Sequence, residues 1–494
     1  MLIEVNFSIL ITFILYLAFM VAIGLIFYSK TNNLSDYILG GRQLNKWVVA
    51  LSAEASDMSG WLLLGLPGLA YVVGVEAAWI ALGLAAGTYL NWKFVAARLR
   101  NYTQISGDAI TLSNYFENRF RDKSKALRMV SALFIVIFFL IYTASGFVAS
   151  GKLFSTVFGL TYFQALLIGA LVVVLYTFLG GFMAVCWTDL FQGLLMLFAI
   201  IVVPMAGMKA VGGYGALISA IKAANPERLN LFTTLEGTPI SAMVVISSLA
   251  WGLGYFGQPH ILVRFMAIKS PEQIKPATRI AMIWVLLSLI AAVSVGVVGS
   301  AYLPNALEGP ATETIFMVMV DRLFHPLMAG LLLAAILAAI MSTADSQLLV
   351  TASALAEDFY KVLFRKEASD KELVRVGRLA VVLVSVVAFI IALDQNSSVL
   401  DLVAYAWAGF GATFGPIILL SLFWKRMTRN GALAGIVAGG VTALLWKQLQ
   451  GGIFELYEIV PGFLCSVIAI VLFSLLDKKP ADEIIEEFDM VSGK

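Results

Sequence analysis

The chain has 494 residues, 60% of them hydrophobic and 13% charged, and a mean hydropathy of +0.91. Soluble globular domains carry about a quarter charged residues, so that class is excluded. A transmembrane barrel is excluded as well, because the apolar runs are long and unbroken rather than alternating. The formal net charge of +2 says little until its distribution is read.

A helix crossing a bilayer core needs roughly 20 consecutive apolar residues, and lipid requires every backbone polar group to be satisfied internally. The prediction is an all-α polytopic membrane protein. Thirteen segments qualify, near residues 7–28, 46–73, 76–96, 127–150, 160–180, 188–210, 240–265, 278–301, 325–348, 375–394, 398–424, 431–449 and 456–476. A short outer helix is expected over 313–324. The first segment, FSILITFILYLAFMVAIGLIFY, is too long for a signal-peptide core and has no basic stretch before it, so it reads as a retained helix. Cys186 and Cys465 stand far apart inside apolar stretches and are expected to be buried free thiols.

The basic residues orient these segments. With the N-terminus outside, only Lys152, Lys209, Lys222, Arg228, Arg322 and Lys447 fall on the outer side, and the rest of the 33 Lys and Arg residues fall inside. That asymmetry follows the positive-inside rule and needs an odd number of crossings. The C-terminus is then inside. Residues 1–478 form the transmembrane domain, and 479–494 are expected to be a disordered acidic cytoplasmic tail.

Most segments are plain Leu/Ile/Val/Ala helices, but two are not. The second contains SAEASDMSGW, with Glu54 and Asp57 among serines and a glycine, followed by Gly65, Pro67 and Gly68. The seventh contains SSLAWGLGYFGQPH, with Gly252, Gly254, Gly257 and Pro259. Glycine and proline weaken helices, and lipid tolerates opened backbone only where protein or a wet cavity surrounds it. The two segments run in opposite directions. Paired interrupted helices of opposite direction point to an inverted-repeat secondary transporter with a site near the bilayer midplane.

At these residues the chain resembles the sodium:solute symporter family, and within it the sodium/proline symporters. The resemblance rests on ASDMSGWLLLGLPG and AWGLGYFGQPHILVRFMAIKS, with AAIMSTADSQLLV and GPIILLSLFWKRMTRNGALAG, Gly415 to Gly435, as further matching stretches. It covers most of the chain. It implies a leucine-transporter-like core of five plus five inverted helices, with repeats near 46–210 and 240–424.

The resemblance also implies a co-transported sodium ion between the break in the second segment and the ninth. Its ligands would be the backbone carbonyls of Ala55, Met58 and Ala339 and the hydroxyls of Ser342 and Thr343. The residues agree with this: an unwound turn frees carbonyls, MSTADS offers adjacent hydroxyls, and sodium is a hard cation that takes oxygen ligands. Asp57 lies at mid-membrane, where a charge costs about 2.5–3.5 kcal/mol on insertion scales. It is read as a sodium ligand or as negative charge beside the ion. Asp189 resembles a family aspartate linked to sodium coupling or release, although a helix cap reads almost as well.

A zwitterionic substrate such as proline needs partners for a carboxylate and an ammonium, and a wall for its ring. Ser59 and Gly60, just past the first break, are candidates for the carboxylate through free N–H groups at a half-helix start. Trp61, Trp251 and Tyr255 flank the breaks and offer amphipathic walls. The resemblance adds Tyr142 and Pro259. The expected partners are therefore proline and membrane lipid, in the cell membrane. No nucleic acid is expected, and the sequence leaves the oligomeric state open.

Other classes fare worse. GFVASGKL, Gly146 to Leu153, has the glycine and lysine spacing of a phosphate loop, but Leu153 replaces the hydroxyl residue and no strand precedes it. With His260 and His325 the only histidines, no HExxH and no nucleophile motif, an enzyme is not expected. A channel or a solute sensor is harder to exclude, although the sequence shows no soluble signalling domain. The residues alone leave open proton coupling through Asp57, and another small solute in place of proline.

Overall fold

The computed structural model describes residues 7–28, 34–179, 181–303 and 306–492. The basic residues Lys30 and Lys494, and the last residue of the predicted 160–180 segment, lie outside them. Within the described residues the chain is helical throughout. Its only β pairing is two isolated bridges, Leu44 with Ile268 and Thr233 with Pro239.

The principal helices are α1 (Phe7–Tyr28), α2 (Lys46–Asp57), α3 (Leu66–Val73), α4 (Ala78–Leu90), α5 (Ala126–Phe158), α6 (Tyr162–Leu179), α7 (Phe182–Ala210), α8 (Ala242–Ala250) and α9 (Pro259–Ala267). They continue as α10 (Ile274–Tyr302), α11 (Pro326–Ser353), α12 (Asp370–Ile391), α13 (Val399–Phe423), α14 (Arg429–Trp446), α15 (Ile459–Leu476) and α16 (Asp482–Ser492). Nine helical runs among the described residues are long and apolar enough to cross a membrane. The count falls short of thirteen for visible reasons. The second and seventh segments are split, and the second joins the third in one run, Trp61–Ile105, that bends at Gly74–Ala77. The 160–180 segment gives only the shorter helix Tyr162–Phe178, and α14 (Arg429–Trp446) is not among the nine. The short outer helix predicted over 313–324 is present as Ile315–Leu323.

The core is centred on α11, where nearly every residue from Leu332 to Leu348 is buried. Around it pack α1, α2, α5, α7 and α12. A polar, hydroxyl-rich stretch such as MSTADS survives there because it faces protein rather than lipid. At one end of the bundle the buried Lys152 of α5 meets Glu313 at 2.5 Å. The same Glu313 carboxylate accepts from the Ser398 hydroxyl and from the amides of Val399 and Leu400, capping the start of α13. At the other end Arg128, also on α5, pairs with Asp358 at 2.6 Å, Glu357 at 3.0 Å and Glu117 at 3.1 Å.

Two expectations need correction. Cys186 is buried, but Cys465 is exposed on α15, since the outer faces of a membrane helix are apolar without being covered by protein. The tail is also ordered, because residues 482–492 form α16. Ile484, Phe488 and Val491 recur at helical spacing and give it an apolar stripe. Phe488 is 6% exposed and lies under the guanidinium groups of Arg98 and Arg119, 5.4 and 5.5 Å from its ring centre. Glu487 pairs with Arg121 at 2.5 Å. Phe488→Ala is expected to release this helix. Hydrogen exchange should then accelerate over 482–492 and stay unchanged in α11; unchanged exchange in the tail would show that the ring does not hold it.

Candidate functional site

The geometry begins at the break in the second segment. α2 is started by Asn45, whose side chain accepts from the amides of Trp47 and Val48. It stops at Asp57, and Met58 leaves the helical region with φ −80° and ψ 73°. The Ser59 amide turns back onto the Asp57 carbonyl at 2.9 Å, and a wide turn over Trp61–Gly65 leads into α3. Carbonyls of the last α2 turn are thus released from the helical ladder, as a helix end requires. Gly60 fits the bend by size, since a Cβ there would lie 2.9 Å from the Ala149 side chain on α5.

The Ala55 carbonyl, one of those released, accepts from the Ser342 hydroxyl at 2.7 Å and the Thr343 hydroxyl at 3.5 Å. The Ser342 hydroxyl also reaches the Ala339 carbonyl at 3.2 Å. Four of the five oxygen donors singled out in the sequence therefore converge between α2 and α11, all of them buried. Met58, the fifth, sits at the break as the helix cap. Neutral oxygens without soft ligands suit a hard monovalent cation.

Asp57 joins this cluster to the aromatic residues. Its carboxylate accepts from the Tyr255 hydroxyl at 2.6 Å through Oδ2, while Oδ1 is buried without a partner. Its backbone carbonyl accepts from the Trp61 indole at 3.1 Å and the Tyr142 hydroxyl at 3.3 Å. Three of the predicted substrate-contacting side chains are therefore fixed on one residue.

The seventh segment opens as expected. α8 passes into a tight turn over Trp251–Gly257, and α9 starts at Pro259, a position where a missing N–H costs nothing. The Trp251 ring lies 6.3 Å from Trp61. Trp407 on α13 and Tyr457, which the sequence reading missed, complete the wall. The Trp407 indole donates to the Trp251 carbonyl at 2.7 Å, and the ring sits 5.0 Å from Tyr255. A Cβ on Gly254 would fall 1.9 Å from that indole nitrogen, so a glycine is needed for the tryptophan to reach in. The sequence signal was the small-residue run AWAGFGATFG, which allows a close crossing. Pro259 lines a cavity with Val263, Ser353 and Asp358.

Asp189 on α7 is placed among α2, α9 and α11 rather than at a solvent-facing cap. Its Oδ2 accepts from the Ser52 hydroxyl at 2.6 Å and from Arg264 at 3.0 Å. Arg264 belongs to the basic residues assigned to the inner side, but it is 1% exposed. It also donates to Ser52, to the His260 carbonyl and to Ser346. Its four-residue distance from His260 puts it on the buried face of a helix, which a hydropathy profile does not resolve. Glu54 faces the α4 side of the bundle, where its carboxylate accepts from the Trp92 indole at 3.0 Å.

The comparisons bear on this arrangement. Residues 37–439 match the family model described as the sodium:solute symporter family. The chain belongs to the sodium:solute symporter family. Among similar proteins, the sodium/proline symporter of Escherichia coli (strain K12) is 51% identical over 97% of this chain and 95% of its own length. The high-affinity proline transporter PutP of Bacillus subtilis (strain 168) is 50% identical over 95% of this chain and 98% of its own. A substrate-bound, outward-open structure of a Na+-coupled sialic acid symporter superposes with a TM-score of 0.79 at 20% identity, covering 96% of this chain and 99% of that one. The fold is thus the leucine-transporter-like one of a multi-pass membrane transporter. This member of the sodium:solute symporter family holds a hydroxyl-carbonyl cluster and an aromatic wall side by side at its two broken helices.

Proposed function

We propose that this chain is a sodium-coupled symporter that carries L-proline into the cell across the cell membrane by alternating access. The observation that carries the reading is the position of Asp57. Two residues before it, the Ala55 carbonyl meets Ser342 and Thr343, and its own groups hold Trp61, Tyr142 and Tyr255. An ion bound to Ala55, Met58, Ala339, Ser342 and Thr343 orders the same turn that shapes the substrate wall of Ser59, Gly60, Trp61, Tyr142, Trp251, Tyr255 and Pro259. Sodium binding first would therefore favour substrate binding, a population shift set by differential affinity. Asp189 is the residue through which the ion is coupled or released on the way out.

In this reading the transmembrane domain spans 1–478 with thirteen crossings, the N-terminus outside and residues 479–494 inside. Its inverted repeats run near 46–210 and 240–424. The asymmetry of the basic residues supports that orientation. The work is transport without covalent chemistry. A tenfold inward sodium gradient supplies about 1.4 kcal/mol, and a 100 mV potential adds about 2.3 kcal/mol per charge. At one-to-one coupling these sum to ~3.7 kcal/mol, enough for accumulation on the order of 500-fold.

The test is uptake of labelled proline by purified protein in liposomes, with sodium and proton gradients imposed separately. Uptake is expected with sodium alone. Uptake driven by protons alone, or of another solute in place of proline, would overturn the reading. Counterflow exchange separates a carrier from a channel.

A further inference from the structure

Beside the aromatic wall the structure leaves a set of polar groups without partners. Both ring nitrogens of His260 are buried and make no hydrogen bond. Gln258, two residues earlier and also fully buried, donates its amide hydrogens to the Gly254 and Trp407 carbonyls at 3.2 Å each, which leaves its Oε1 as an unpaired acceptor. The two residues flank Pro259 at the start of α9, a nine-residue helix whose first turn presents its positive dipole end. The His260 ring is held edge-on between Tyr142, 6.0 Å away, and Phe139, 5.6 Å away. Tyr142 in turn donates to the Asp57 carbonyl.

An unpaired buried polar group is costly to the fold, and such groups are rare unless a ligand meets them. The charges around the site give the ligand its polarity. The unpartnered Oδ1 of Asp57 repels a carboxylate and attracts a cation. At the start of the half-helix after Ser59 the amides are largely used: that of Ser59 goes to Asp57 O, that of Trp61 to the Ser59 hydroxyl and that of Leu62 to Ser59 O. The start of α9 has the free donors instead, because an imidazole always offers at least one N–H.

We propose that His260 and Gln258 orient the zwitterion: the His260 ring N–H donates to the substrate carboxylate, and Gln258 Oε1 accepts from its ammonium. The inference rests on the reading of the chain as a proline symporter and adds the pair that distinguishes an α-amino acid from an uncharged solute. The His260 position is one that neither hydropathy nor motif brings forward, since a single histidine in an apolar helix reads as core.

The test uses the full chain in liposomes with L-proline and its methyl ester, which lacks the carboxylate charge. His260→Ala is expected to raise the KM for proline roughly ten- to a hundred-fold, the loss of one hydrogen bond to a charged group. The maximal rate and the sodium dependence should change little. The ester, which keeps a carbonyl acceptor without the charge, should lose less affinity than proline between wild type and variant, and His260→Asn or His260→Gln, which keep an N–H donor, should recover part of the affinity for proline. Because a variant can fail to fold, a second measurement uses the native ring. With 15N-labelled histidine and His325→Gln, whose exposed side chain lies outside the site, His260 gives the only histidine signals, and proline with sodium should shift the N–H nitrogen. An unshifted signal, or a KM unchanged in folded His260→Ala, overturns the inference while proline uptake by the wild type leaves the symporter reading standing. Absence of uptake by the wild type overturns both.

Discussion

Asp57→Ala is expected to reduce sodium-driven proline uptake by on the order of 100-fold or more, with the protein still inserted in the membrane. The substitution removes two things at once, the buried charge two residues after Ala55 and the acceptor for the Tyr255 hydroxyl, while the backbone carbonyl that holds Trp61 and Tyr142 stays. A hydrogen bond to a charged group contributes about 1.5–3 kcal/mol, and the field at the ion adds to it, so a loss of this size is reached without unfolding. Insertion should not suffer, because a mid-membrane charge costs about 2.5–3.5 kcal/mol and the variant lacks it. Asp57→Asn separates the terms. It can keep the contact with Tyr255 and loses only the charge, so it should bind proline at high sodium with an apparent sodium affinity lowered roughly tenfold or more. Uptake measured against sodium concentration in both variants decides the matter; normal sodium dependence in Asp57→Ala would remove Asp57 from the mechanism.

Much of this site was legible in the sequence. Ser52 to Trp61 cannot continue a lipid-facing helix, and small residues with carboxylates in an apolar run indicate an opened turn facing protein. The opened turn and the adjacent hydroxyls of α11 were read from the residues, whereas the particular set Ala55, Met58, Ala339, Ser342 and Thr343, and Tyr142, came from the family resemblance. The structure brings Ala55, Ala339, Ser342 and Thr343 together and attaches Trp61, Tyr142 and Tyr255 to Asp57. The structure also supplies an account of Glu54, one turn earlier on α2, whose partner is the Trp92 indole on the neighbouring α4 side.

Other features were not legible, for a common reason. Hydropathy ranks residues by type, and it places every arginine in an interface and every lone histidine in a core. Arg264 is buried because Asp189, Ser52 and Ser346 arrive from three other helices, contacts separated by 75 to 212 positions in the chain. Trp407 reaches the site only because Gly254 leaves room. The acidic tail was misjudged because net charge outweighed an apolar stripe of three residues, and the arginines that receive Phe488 lie far away in the chain, on the helices Ala97–Ile105 and Leu112–Arg119.

Arg264→Met is expected to destabilise the fold by about 3–5 kcal/mol, the cost of leaving buried charge uncompensated. The Asp189 carboxylate would lose its cation, and Asp345, beside Ser346 and with an unpartnered oxygen of its own, would remain in the same pocket. Asp189→Asn should cost less, since the guanidinium keeps Ser52, Ser346, the His260 carbonyl and the nearby Asp345. The double variant Arg264→Met, Asp189→Leu should be more stable than the sum of its parts, because an apolar pair of similar volume replaces a buried ion pair at little net cost. Thermal unfolding of the purified protein in detergent measures these three together with Asp189→Leu alone, and additivity of Arg264→Met and Asp189→Leu in the double variant would show that the two residues are not coupled. The functional counterpart follows from where the pair sits. It ties α7 and α9 to α2 through Ser52 and to α11 through Ser346, so it crosses the joint between the hydroxyl–carbonyl cluster proposed to hold sodium and the helices packed around it. Asp189→Asn should therefore slow release of labelled sodium from preloaded proteoliposomes while leaving proline affinity near that of the wild type. A loss confined to proline affinity would instead put Asp189 in the substrate site.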